Sequence, residues 1–322
     1  MSIPFTYHRA RSVDDAVAHL AVPRSLPIGG GTDLLVLLKE ELARPESLVD
    51  VRDIPGARSI VARPDGTLVI GAAARVHDIA TDAGVRARFP ALASACESVG
   101  TTALRHMGTL GGNLCQRPRC WYFRQNVPCL KSGGHDCPAV RGENQYHAIL
   151  GGGPCYIVHP SDPAVALTAL EAVVVARGSA GERRIPIAAF YAMPAERIEQ
   201  ETVLDAGEIV TAVEIPGSSA DGWQRYDKLM QRGAWDFALV SLAAARRADG
   251  DVRLVLGGVA PKPWRITSSI EEDVASGGVD PDDVATLVDR ALLDASALSK
   301  NAYKIDMAAT LLRRAIADML AT

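Results

Sequence analysis

The chain has 322 residues, of which 48% are hydrophobic and 22% charged, enough for two or three domains with a well-buried core. A formal charge of -4 and a pI near 6.0 exclude the basic footprint of a nucleic-acid binder, and the longest apolar run, 164–176, is broken by Glu171 and too short to span a membrane. The first residues, MSIPFTYHRARS, lack the apolar core of a secretory signal, so the expected location is the cytoplasm.

Ser12 followed by Asp15 predicts the capped start of a helix over SVDDAVAHL. A strand over 25–28 stops at GGGTD, residues 29–33, and a helix is expected over 34–42. Strand, glycine turn and helix together form an anion site, because free N–H groups and the positive helix end converge there. GGGTD is not the GxGxxG fingerprint, so a phosphate turn and a bare turn both remain open. A further strand over 47–51 completes a β-α-β-α-β unit in residues 1–55.

From Ser59 the pattern becomes that of an α+β domain, 56–216. Strands are expected over 59–61 and 67–72, helices near 76–82 and 90–99, a helix from Asp162 to Glu171, and strands over 172–176, 184–187 and 208–215. Pro216 to Gly222 reads as a linker into a C-terminal domain, 222–322. There, antiparallel strands over 223–230, 238–247 and 252–259 precede two amphipathic helices, one capped at Asp280 and one with Met307, Leu311, Leu312, Ala315, Ile316 and Met319 on its face.

Within the second domain, a loop over 114–157 holds five of the six cysteines, at 115, 120, 129, 137 and 155. Just before it runs the glycine-rich stretch Gly108, Thr109, Leu110, Gly111, Gly112 and Asn113, whose bare backbone admits an anion closely. The cysteines form no CxxC pair, which disfavours a zinc knuckle. Four thiolates along a loop suit a cubane iron–sulfur cluster, with Trp121, Tyr122, Phe123 and several prolines as a dry shell. Zinc and free thiols are the competing readings. Cys96, alone in helical sequence, reads as a small core residue.

TTALRHMGTLGGN, GGGTDLL and YDKLMQRGAWDFALVS, in this order along the chain, resemble the flavin-binding medium subunit of the molybdenum hydroxylases, the xanthine dehydrogenase family. The cysteine insert, with RPRCWYF, QNVPCLK and HPSDPAVA, is similar to that of the members carrying an extra [4Fe-4S] cluster. The closer of these are bacterial aldehyde oxidoreductases of the Escherichia coli periplasmic type, and 4-hydroxybenzoyl-CoA reductase is the more distant. The resemblance implies a PCMH-type FAD-binding fold of two α/β subdomains, followed by an antiparallel sheet packed with a helix bundle, as in carbon monoxide dehydrogenase flavoproteins. It implies FAD with its pyrophosphate on Gly29, Gly30, Gly31, Thr32, Asp33, Leu34 and Leu35 and on Thr109 to Asn113. Thr101 and Thr102 would supply hydroxyls. Asp162 would contact the cofactor, and Lys228 would lie near the isoalloxazine ring, where a cation favours reduced flavin.

For Asp162 the bland reading is a first-turn helix acid, and for Lys228 a solvated strand lysine. Arg105 and His106 would act behind the direct contacts, and His135, His147 and His159 as hydrogen-bonding loop residues. The implied cluster ligands are Cys120, Cys129, Cys137 and Cys155, with Cys115 in excess. The implied partners are a large Mo-molybdopterin subunit and a small subunit with two [2Fe-2S] clusters, making a heterotrimer that oxidises aldehydes and passes electrons through FAD to an external acceptor. A complex of this type can also reach the periplasm on a partner's twin-arginine signal. No catalytic acid–base or nucleophile constellation stands out in this chain. A reductase-like subunit feeding electrons toward molybdenum and a non-redox zinc-stabilised module are the alternatives.

Overall fold

The computed structural model describes residues 4–321, so the first three residues of the N-terminal segment read for export lie outside it. Strands β1 (Thr6–Arg9), β2 (Ser25–Ile28) and β3 (Ser47–Asp50) form a wholly parallel sheet in the order β1-β3-β2. The helix between the first two, Val13–Leu20, starts where expected. Ser12 Oγ accepts the Asp15 amide at 3.0 Å, while Asp15 Oδ2 reaches back to the Arg11 amide at 2.8 Å. Its buried face, Ala16, Val17 and Leu20, packs with Ala10, Val49 and Ile54.

The helix after the first glycine turn is shorter than the apolar run suggested. It covers Leu34–Lys39, because Glu41 takes a positive φ of 55° and the chain turns there. The helix expected over 90–99 is likewise shorter, Pro90–Glu97, and that at Asp162 covers Asp162–Ala169, with Glu171 at φ 54°.

The second sheet contains β4 (Ile60–Ala62), β5 (Leu68–Gly71), β6 (Val173–Gly178), β7 (Gly181–Pro186) and β8 (Ile209–Ile215), antiparallel in the order β4-β5-β8-β6-β7. The cysteine loop is therefore an excursion between β5 and β6. Helices Pro90–Glu97 and Asp162–Ala169, the second buried on every side, fill the core between this sheet and the next.

The third sheet is antiparallel, β12-β11-β10-β9, from β9 (Gly222–Leu229), β10 (Val240–Arg247), β11 (Val252–Gly257) and the short edge β12 (Trp264–Arg265). Tyr226, Ala243, Ala245 and Val255 turn toward the Asp162–Ala169 side, whereas Leu242, Ala244, Leu254 and Leu256 face the C-terminal helices. This period-2 alternation puts one sheet between two cores. The long last helix, Tyr303–Leu320, buries Leu311, Leu312, Ala315, Ile316 and Met319, as its periodicity predicts. Ser268–Ala275 is a helix the sequence reading did not include.

The C-terminal domain also grips the cysteine loop. Buried Asn144 donates to the Ala139 carbonyl at 2.9 Å and accepts from the Lys300 amide at 2.9 Å. Asn301 donates to the His147 and Ala148 carbonyls, and the buried Lys304 ammonium to those of Tyr146, His147 and Gly258. No helix among the described residues is long and apolar enough to cross a membrane.

Candidate functional site

The two glycine stretches meet. A Cβ on Gly30 would lie 1.7 Å from the Met107 carbonyl oxygen, and one on Gly29 2.6 Å from Thr109 Oγ1. At Gly29 and Gly30 the two turns press on each other, which by itself requires a bare position. Gly112 is different. A Cβ there would meet only the Thr109 hydroxyl, at 3.0 Å, and beyond it the space is open.

The stretch from Gly108 to Asn113 is not a free turn but enters a short helix, Leu110–Leu114, capped by Thr109 Oγ1 on the Gly112 amide at 3.3 Å. Thr101 likewise caps Thr102–Met107 through the Leu104 amide at 3.2 Å, and Thr102 Oγ1 accepts from Arg105. Each of these hydroxyls, in accepting, keeps its own proton to donate. Arg105 is tied to the Val99 carbonyl at 3.0 Å, and the exposed His106 ring lies tilted against that of His77, with centroids 3.7 Å apart.

Gly29 to Leu34, Thr109, Gly111, Gly112 and Arg117 line one cleft of about 300 Å³. Leu35 points outward and is 46% exposed. A second cleft of about 490 Å³ lies between the cysteine loop and the third sheet, lined by Arg119, Trp121, His159, Asp162 and Phe237 among others. Asn113 joins the two regions, since its Oδ1 accepts from Ser161 Oγ at 2.6 Å, and Ser161 caps the helix that begins with Asp162.

Asp162 is buried, with Tyr226 donating to Oδ1 at 2.6 Å and Lys228 Nζ bonded to Oδ2 at 2.8 Å. Burial pushes its carboxyl up, and Lys228 and Tyr226 oppose that. Asp162 does stand in the first turn of its helix, so its bland reading holds alongside this pair, whereas that of Lys228 does not. Lys228 is not a solvated strand lysine; its side chain is 3% exposed, and its ammonium also donates to the Ser98 carbonyl. Removing one member of such a pair leaves an uncompensated charge, so Lys228→Met is expected to cost about 3–5 kcal/mol of stability. The companion double variant with Asp162→Asn should recover most of it, as read by thermal and denaturant melts. Nearby His159 accepts the Ser161 amide at 3.4 Å, and burial holds it neutral down to about 3.

Cys120, Cys129, Cys137 and Cys155 line a single small enclosed cavity together with Tyr122, Phe123 and Lys131. Cys115 lines the glycine cleft instead, and burial pushes its thiol up to about 12. Cys96 is a fully buried core residue. The accessible volume of the cavity is about 10 Å³, and the Cys137 and Cys155 side chains are hydrogen-bonded to each other.

The bond pushes Cys137 down and Cys155 up. Backbone amides of Tyr156, Ala139 and Val140 also favour the Cys137 thiolate, and those of Phe123 and Tyr122 favour that of Cys120, against a burial that raises it. Thiolate-directed amides and four converging sulfurs are the donor set a cubane cluster uses. Among the described residues, no three His, Cys, Asp or Glu side chains stand in the arrangement that holds a single metal ion. His147, held neutral down to about 4 by burial, has Nε2 3.2 Å from Cys120 Sγ, and His135 is exposed.

Sequence reasoning missed the charges that tie the loop to the first glycine turn. Asp33 accepts from the Arg117 amide and from Arg124 Nη2, both at 2.8 Å, and pairs with Arg119 at 3.0 Å. Glu201 pairs with Arg117 at 2.6 Å and Lys131 at 2.7 Å. The three arginines within eight residues of Cys120 were the available signal.

Residues 3–218 match the family model for the FAD binding domain in molybdopterin dehydrogenase. The chain belongs to that family. It is an FAD-binding oxidoreductase subunit of the molybdenum hydroxylase type. The open space beyond Gly112, the helix-capping hydroxyls and the glycine-lined cleft fit a dinucleotide.

Among relatives, the aldehyde oxidoreductase FAD-binding subunit PaoB of Escherichia coli K12 is 37% identical across 98% of this chain and 97% of its own. The glyceraldehyde dehydrogenase medium chain of Sulfolobus acidocaldarius is 28% identical across 88% and 86%. Among solved structures, carbon monoxide dehydrogenase from Hydrogenophaga pseudoflava lacking the Mo-pyranopterin moiety of its cofactor superposes with a TM-score of 0.73. It is 26% identical and covers 100% of this chain and 99% of that one. The α+β fold, with its mixed helices and three sheets, is shared with that carbon monoxide dehydrogenase.

Proposed function

We propose that this chain carries FAD and a [4Fe-4S] cluster in a heterotrimeric molybdenum hydroxylase that oxidises aldehydes, and that it passes electrons from its partners to an external acceptor. The partners in this reading are a large Mo-molybdopterin subunit and a small subunit with two [2Fe-2S] clusters. Bound FAD supplies a centre that takes up two electrons and releases them singly, and the cluster supplies a one-electron relay.

The observation that carries the iron–sulfur part is the convergence of Cys120, Cys129, Cys137 and Cys155 on one cavity from which Cys115 is excluded. The aldehyde part rests on the likeness to PaoB.

In this reading the residues that line the glycine cleft, Gly29 to Leu34, Thr109, Gly111 and Gly112, receive the pyrophosphate, with Thr101 and Thr102 donating to the dinucleotide from the helix beside them. Asp162, made rigid by Tyr226 and Lys228, orients the flavin end at the second cleft. Because Asp162 holds it, Lys228 acts through Asp162 instead of offering a free charge. We place the complex in the cytoplasm, with export on a partner's twin-arginine signal as the alternative. The test is the native complex mixed anaerobically with an aldehyde panel. Aldehydes are expected to bleach the flavin absorbance in this subunit, and bleaching by N-heterocycles alone would reject the aldehyde assignment.

A further inference from the structure

The cavity formed by the four cysteines has one charged residue in its lining, Lys131. Its side chain is 1% exposed, and its ammonium is fixed by Glu201 Oε1 at 2.7 Å and the Ile198 carbonyl at 2.7 Å. Glu201 is itself buried, held on its other oxygen by Arg117 at 2.6 Å, and its carbonyl accepts the Ala192 amide at 3.1 Å. An ammonium is costly to bury, and a surface lysine would tie the short turn Leu130–Ser132 to residues 198–201 without that cost. Lys131 thus puts a buried cation in the wall of the cysteine cavity.

The geometry points to Lys131 and Glu201 as a charge pair that sets the reduction potential of the centre held by the four cysteines. This rests on the iron–sulfur reading above and goes beyond it, to the residues that tune the centre. When such a centre takes one electron from an external reductant, no proton need accompany it, and the site gains one unit of negative charge. A fixed ammonium at the sulfur wall stabilises the more negative, reduced state, and a carboxylate behind it partly cancels the effect. The two members of one ion pair therefore act on the potential in opposite directions. A purely structural pair does not behave so, because losing either half breaks the same contact.

The experiment is an anaerobic dithionite titration of the purified full chain, in its complex, followed by electron paramagnetic resonance, with iron counted per chain. Lys131→Met is expected to lower the midpoint potential, Glu201→Gln to raise it, and Lys131→Arg to stay near the wild type. If Lys131→Met fails to retain iron, the upward shift in Glu201→Gln and the unchanged value in Lys131→Arg decide the matter. Unmoved potentials, or shifts of the same sign, in variants that hold their iron overturn the inference and leave the iron–sulfur reading standing. Wild-type protein without a four-iron signal overturns both.

Discussion

Gly112→Val is expected to leave the chain folded and strip it of FAD. A Cβ at this position would meet only the Thr109 hydroxyl, at 3.0 Å, and a shift of a few tenths of an ångström in that side chain admits it. The branches of valine then occupy the space in which a pyrophosphate would meet the amides of the Leu110–Leu114 helix. Flavin per chain should fall at least about tenfold, equivalent to about 1.4 kcal/mol or more of lost affinity, with little change in circular dichroism.

Gly30→Ala should behave differently. Its new methyl would collide with the Met107 carbonyl and separate the two turns, so both folding yield and flavin should drop. Gly233→Ala, which meets nothing within 4 Å, is the control that should keep FAD. Full flavin occupancy in folded Gly112→Val protein would remove the second glycine stretch from the binding site.

The second large effect concerns iron. Cys120→Ala is expected to lose most of the iron and the brown absorbance while holding FAD, because the glycine cleft is made by other residues. Cys115→Ala should keep its iron, since that thiol lines the glycine cleft. If Cys115→Ala lost iron and Cys120→Ala kept it, the ligand set would be wrong even with a cluster present. The prediction depends on which cavity each sulfur faces, and spacing along the chain does not reveal that.

Local chemistry was the legible part of this sequence. Ser12, Ser161 and the glycine runs announce caps and turns because their effect spans only three or four residues. The face of Tyr303–Leu320 was equally plain, since five turns of apolar periodicity outweigh noise. Ser268–Ala275 was missed because only Ile270 and Val274 mark its apolar side.

The expected end of the helix after GGGTD was too late for another reason. Leu42 continues the apolar pattern, but the positive φ at Glu41 has no signal in a glutamate. The ties between Asp33 and Arg117 or Arg124 join positions 84 and 91 residues apart, and Lys131 meets Glu201 across 70. Nothing local in either partner specifies such a pair. The role of Gly30 was likewise hidden, because a bare position looks the same whether a ligand or another backbone presses on it.

The most direct test is the FAD and iron content of the chain purified anaerobically in its native complex and then separated from its partners. The account predicts one FAD and four irons per chain, with yellow and brown chromophores together. A subunit that holds flavin but no iron would contradict the role given to Cys120, Cys129, Cys137 and Cys155.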